Sequence, residues 1–96
     1  MKVIARPVGT GKTKELLMLA QAANGLVLTT NKRALQEKAR AYGIPEIEIV
    51  DLHDLIYGNY TKDKTLYVHK LDDVMEAYFS ADFGLKLGAY SVAMEV

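Results

Sequence analysis

"ARPVGTGKTKELL", residues 5–17, directly follows the short apolar opening "KVI". Val3, Ile4 and Ala5 form a continuous apolar run of the kind that suits a buried strand, and Arg6-Pro7 ends it. Beyond the glycines, Leu16, Leu17, Leu19, Ala20 and Ala23 recur at helical spacing until Asn24-Gly25 stops them. A strand, a glycine turn and a helix together place backbone N–H groups where an anion can sit on a helix N-terminus. The full phosphate fingerprint, G-x-x-x-x-G-K-[ST], adds a lysine for the β and γ phosphates and a hydroxyl for magnesium. Gly11, Lys12 and Thr13 fill its second half, but Arg6 stands where the first glycine belongs. A chance G-x-G-K-[ST] in a chain of this length is expected roughly once in a few hundred, from average residue usage. Arg6 has two readings, a guanidinium reaching a phosphate and a solvated strand end. Both stay open.

Working outward, "GLVLTT" (25–30) reads as a second buried strand, and Thr30 or Asn31 can cap the helix "KRALQEKARAY" that follows. Ala34, Leu35, Ala39 and Tyr42 form that helix's inward stripe, and Gly43 ends it. "EIEIVD" (46–51) alternates as a third strand, after which Asp51 can cap a short turn through Leu55 and Ile56. "YGNYTKDK" (57–64) is aperiodic and rich in turn residues, so it is the main loop. "TLYVHK" (65–70) is a fourth strand, and Asp73 with Glu76 is spaced as a capping box for the helix "VMEAYFS". "LGAYSVAMEV" (87–96) reads as a fifth strand, apolar on both faces and hence central. The expectation is one α/β domain over residues 1–96, a single five-stranded, mainly parallel sheet with helices on both faces. Across that sheet the expected order is 46–51, 25–30, 65–70, 87–96 and 3–5.

Composition narrows the function classes. The 96 residues carry twelve Lys plus Arg against twelve Asp plus Glu, so no overall basic field points to nucleic acid. Without cysteine the chain has no disulfide, thiolate metal site or cysteine nucleophile. No apolar run approaches a membrane span and "MKVIARP" lacks a signal-peptide core, so the expected location is the cytoplasm.

The order of motifs resembles the first motor domain of superfamily-one DNA helicases, a class of P-loop NTPase, reduced to its sheet. "GTGKT" looks like their nucleotide loop, and "LTTNKRALQEKA" (28–39) is similar to the strand and helix that touch single-stranded DNA. "VDLHDLI" (50–56) is similar to a segment after the third strand, with His53 in its histidine position. "LYVHKLDDV" (66–74) falls where the family has a magnesium-binding acidic pair, and "GAYSVAME" (88–95) where its phosphate-sensing strand lies. Small proteins of this layout also resemble accessory proteins of bacterial viruses, which would place the chain in the host cytoplasm. The resemblance implies ATP or another purine nucleotide, with Mg2+, bound by Arg6, Pro7, Val8, Gly9, Thr10, Gly11, Lys12 and Thr13. Thr13 would hold the metal.

In that alignment His69 and Lys70 replace the acidic pair. Imidazole is a poor ligand for hard magnesium and lysine repels it. Asp72 and Asp73, one helical turn further on, and Asp51 are the remaining candidates for a catalytic carboxylate, although helix capping explains all three. His53 and His69 read as hydrogen-bonded structural histidines. Lys32, Arg33, Lys38 and Arg40 make a basic patch that a solvated helix face explains better than contact with a phosphate backbone does. The expected function is nucleotide binding with a degenerate site and weak or no hydrolysis. One alternative is an active oligomeric ATPase acting with single-stranded DNA. The other is a non-enzymatic module that kept the fold and binds a replication or recombination protein.

Overall fold

Three short runs pair into a parallel sheet: β1 (Leu26–Leu28), β2 (Glu48–Val50) and β3 (Leu66–Val68), in the order β2-β1-β3. The structure is a computed structural model and describes Ile4, residues 11–89 and Ser91. In the register, Val27 lies between Ile49 on one side and Tyr67 on the other. Four helices complete the described fold: α1 (Lys12–Ala22), α2 (Lys32–Ala41), α3 (Leu52–Ile56) and α4 (Leu71–Phe83).

The strand period of two divides the core. Val27 and Ile49 face Leu17 and Ala20 of α1 and Leu35 and Ala39 of α2, with Ile44 closing the cluster. Leu26, Leu28 and Val50 face the other way, against Val74 of α4, with Leu52 and Leu55 of α3 packed at the margin. β1 is buried along its whole length and β2 over its last two residues, whereas β3 is partly open, with Leu66 exposed. Gly25 is the tightest junction. A Cβ there would lie 2.5 Å from the Tyr67 ring and 3.0 Å from the Thr65 carbonyl, so only glycine lets α1 turn into β1 at this spacing.

The expectation of five strands is overturned: the described sheet has three. Its order reproduces the 46–51, 25–30, 65–70 portion of the expected sheet, and the two remaining strands are where the reading fails. Ile4, residues 87–89 and Ser91 are in no strand, and the rest of 3–5 and 87–96 lies outside the described residues. An apolar run does not by itself supply a strand partner in register, and Gly88, Ala89 and Ser91 are exposed. Helix starts hold up better. Asn31 caps α2 by accepting the Ala34 N–H at 3.1 Å, and Asp51 caps α3. The expected capping box of Asp73 and Glu76 does not form at a helix start. α4 begins at Leu71 instead, after Lys70, whose backbone is left-handed at φ 56°.

Candidate functional site

Parallel strands end at one edge, and in open α/β sheets ligands bind outside those carboxyl ends. Thr29 follows β1, Asp51 follows β2 and His69 follows β3. The ladder continues one step into this edge: the His69 N–H donates to the Leu28 carbonyl at 2.8 Å and the Thr29 N–H to the Val50 carbonyl at 3.0 Å. Both side chains therefore leave a fixed backbone. By the period of two, Thr29 shares a face with Val27 and His69 shares one with Tyr67, the face that α1 covers.

That placement brings the imidazole to the first turn of α1. His69 Nε2 lies 3.2 Å from Thr13 Oγ1, and His69 Nδ1 lies 3.0 Å from Thr29 Oγ1. Thr29 is 2 % exposed, the sole buried polar residue among those described, and His69 is half-buried. Burial pushes the His69 pKa down, and the nearby ammonium groups of Lys70, Lys38 and Lys12 push it further, against a smaller upward pull from Asp73. The ring is neutral at neutral pH, so it offers one N–H and one lone pair.

Gly11, Lys12 and Thr13 lie at the N-terminus of α1. Gly11 is the N-cap of α1 at φ 79°, a left-handed conformation that a side chain would strain, with open space around it. Lys12 is the first residue of the helix, and no carboxylate among the described residues pairs with it. Arg6, Pro7, Val8, Gly9 and Thr10 lie outside the described residues.

The catalytic candidates are scattered. Asp51 and Asp54 form a reciprocal capping box: the Asp54 N–H donates to Asp51 Oδ1 at 2.8 Å and the Asp51 N–H to Asp54 Oδ2 at 3.1 Å. Lys32 Nζ lies 2.9 Å from the same Asp54 Oδ2. The hydrogen bond from Lys32 is the main reason the Asp54 carboxyl stays below its usual range. One ligand atom each from Asp51, His53 and Asp54 falls within 4.8 Å of the others, but the Lys32 ammonium already occupies the place a cation would take. His53 is exposed and its ring lies against Tyr57, with centroids 4.5 Å apart. Asp72 and Asp73 are exposed in the first turn of α4, where negative charge suits the helix dipole. None of the three carboxylates hydrogen-bonds Thr13.

Magnesium requires near-octahedral oxygen ligands and usually at least one carboxylate. Around Thr13 and His69 the described residues supply a hydroxyl, an imidazole and the field of three lysines, which outweighs that of Asp73. That donor set fits the oxygens of a phosphate and does not fit magnesium. Of the basic patch on α2, Lys32 is committed to Asp54, while Arg33, Lys38 and Arg40 are exposed.

Thr29 was not among the residues singled out from the sequence. A signal for it existed, since it continues the buried phase of Val27 by one strand period yet carries a hydroxyl. Compared with known proteins, the chain matches no family model, no curated protein and no solved structure. No helix among the described residues is long and apolar enough to cross a membrane.

Proposed function

We propose that the protein binds the phosphates of ATP or another purine nucleotide through residues 7–13, with little or no hydrolysis. The observation that carries this reading is the hydrogen bond between Thr13 and His69. It ties the first turn of α1 to the carboxyl edge of the sheet, where such sheets bind ligands and a helix N-terminus favours an anion. Lys12 supplies a charge-assisted contact to the β and γ phosphates, and no carboxylate among the described residues competes for it.

Weak turnover follows from the same geometry. Hydrolysis needs a group that positions and deprotonates the attacking water, worth typically 10²- to 10⁴-fold in rate. Both ring nitrogens of His69 already face threonine hydroxyls, and Asp51 is held by its capping box. The exposed carboxylates of Asp72 and Asp73 lie on a different helix from Lys12 and Thr13. The resemblance to a helicase motor domain agrees with phosphate binding.

A titration with a fluorescent ATP analogue tests the reading. Lys12→Ala removes an ionic contact to phosphate and should weaken binding by on the order of tenfold or more. The melting temperature should hardly change, because Lys12 lies in the first turn of α1, outside both core clusters. Equal affinities for the two proteins would end the phosphate-loop reading.

A further inference from the structure

A buried hydroxyl must place its proton as well as its lone pairs. Thr29 Oγ1 accepts the Asn31 N–H at 3.5 Å and lies 3.0 Å from His69 Nδ1. Among the described residues, Nδ1 is the acceptor within reach of the Thr29 proton. If Nδ1 instead carried a hydrogen, Thr29 Oγ1 would receive two N–H groups and its own O–H would be left without an acceptor at 2 % exposure. A buried unsatisfied donor is costly, so the arrangement selects one tautomer. Thr29 O–H donates to Nδ1, the ring carries its hydrogen on Nε2, and Nε2–H donates to Thr13 Oγ1 at 3.2 Å. The positive surroundings of the ring do not alter this, because the ring stays neutral and only its hydrogen is directed.

We propose that Thr29 is a positioning residue that fixes His69 as a hydrogen-bond donor to Thr13, making the Thr13 hydroxyl a donor to a phosphate oxygen, so that nucleotide phosphate is taken without a divalent cation. The inference rests on the phosphate reading of Lys12 and Thr13. A hydroxyl oxygen that receives an N–H is a weaker electron donor to a metal, while its own proton becomes a better donor to an anion. With Lys12 alongside, the site has the donors that a polyphosphate needs and lacks the oxygen ligands that magnesium needs. Thr29 touches neither the phosphate nor a metal. It acts through the ring.

Long-range proton–nitrogen correlation spectra of the full chain, without nucleotide, read the His69 tautomer directly. The expected result is the hydrogen on Nε2, and a hydrogen on Nδ1 would overturn the relay whatever the protein binds. ATP affinity is then measured in magnesium and in excess chelator, for the wild type, Thr29→Val and Thr29→Ser, with melting curves to confirm folding. The wild type should bind equally within about twofold in the two conditions. Thr29→Val should weaken metal-free binding by roughly threefold or more, the scale of one hydrogen bond, and Thr29→Ser should restore it. Binding abolished by chelator, with the hydrogen on Nε2, would overturn the cation-free site while leaving the phosphate reading intact. No ATP binding in either condition would overturn both, whereas Thr29→Val binding like the wild type would remove Thr29 from the argument.

Discussion

Two polar clusters sit at the same edge of the sheet, and they handle charge in opposite ways. At the ends of β2 and α2, Asp51, Asp54 and Lys32 satisfy one another through two capping bonds and an ion pair. At the ends of β1 and β3, Thr29, His69 and Thr13 form a neutral chain beside Lys12, and no carboxylate of the described residues enters it. The first cluster is closed to an anion: its one positive charge is matched and one oxygen of each aspartate is engaged, so it fastens α3 to α2. In the second, no carboxylate among the described residues pairs with Lys12 at the start of α1, which is what the phosphate proposal relies on. A candidate binding site is therefore recognised less by how many polar residues converge than by whether their charge is already answered.

The change that would most reshape this contrast is to give the open cluster a carboxylate. The pair His69→Asp, Lys70→Glu supplies an acceptor beside Thr13 and a base one residue on. Phosphate release should rise, by up to about 10²-fold, the lower end of what water positioning contributes. ATP binding should also come to depend on magnesium. Ordinary ATPase rates in the wild type, abolished by Asp72→Asn or Asp73→Asn, would show that the acidic site had been placed in the wrong segment.

A smaller effect separates the two lysines. Lys12→Ala should cost about tenfold in ATP affinity, while Lys32→Ala should change it less than about twofold, since Lys32 already has its counter-ion. Similar losses for both would mean that the clusters share the ligand. The stability readouts should run the other way. Asp54→Ala breaks both the capping box and the ion pair and should cost about 1–2 kcal/mol of unfolding free energy, with ATP affinity unchanged. Denaturant unfolding checks it, and an intact transition midpoint would show that the closed cluster contributes nothing.

The two clusters were unequally legible in the sequence. Asp51 as a cap and Asn31 as a cap followed from residue type and position, because capping is a local interaction within four residues. Gly11, Lys12 and Thr13 were legible for the same reason, as a contiguous motif. The bond between Thr13 and His69 spans 56 positions, and no spacing rule reaches that far. Only the order of motifs in the helicase resemblance suggested that the two segments meet. The left-handed backbone of Lys70 was not legible either, since lysine gives no local signal for positive φ. At 87–96 the apolar pattern was clear, yet residues 87–89 and Ser91 are in no strand, because hydrophobicity does not name a strand's partner.

The smallest expected effect lies away from both clusters and calibrates them. Glu48 of β2 holds the main loop, accepting the Thr61 N–H at 2.8 Å and Lys64 Nζ at 3.0 Å. Burial alone would raise its carboxyl, but the Thr61 and Lys64 contacts outweigh it and hold the pKa below the ordinary 4.5. A lowered folded-state pKa contributes stability that is full above the unfolded value and fades as pH falls through the folded one. Glu48→Gln should therefore destabilise the protein by less than about 1 kcal/mol at neutral pH and by nothing well below pH 4. Melting curves at the two pH values decide it, and a deficit that grew in acid would contradict the assignment.

Amide chemical-shift mapping with unlabelled ATP tests most directly that the open cluster, rather than the closed one, is the binding site. Shifts are predicted to concentrate at Gly11 through Glu15 and at Thr29, His69 and Lys70, to be absent from Asp51 through Tyr57, and to need about tenfold more ATP in Lys12→Ala. Shifts centred on Asp51 through Tyr57 and Lys32, or none anywhere at millimolar ATP, would contradict the account.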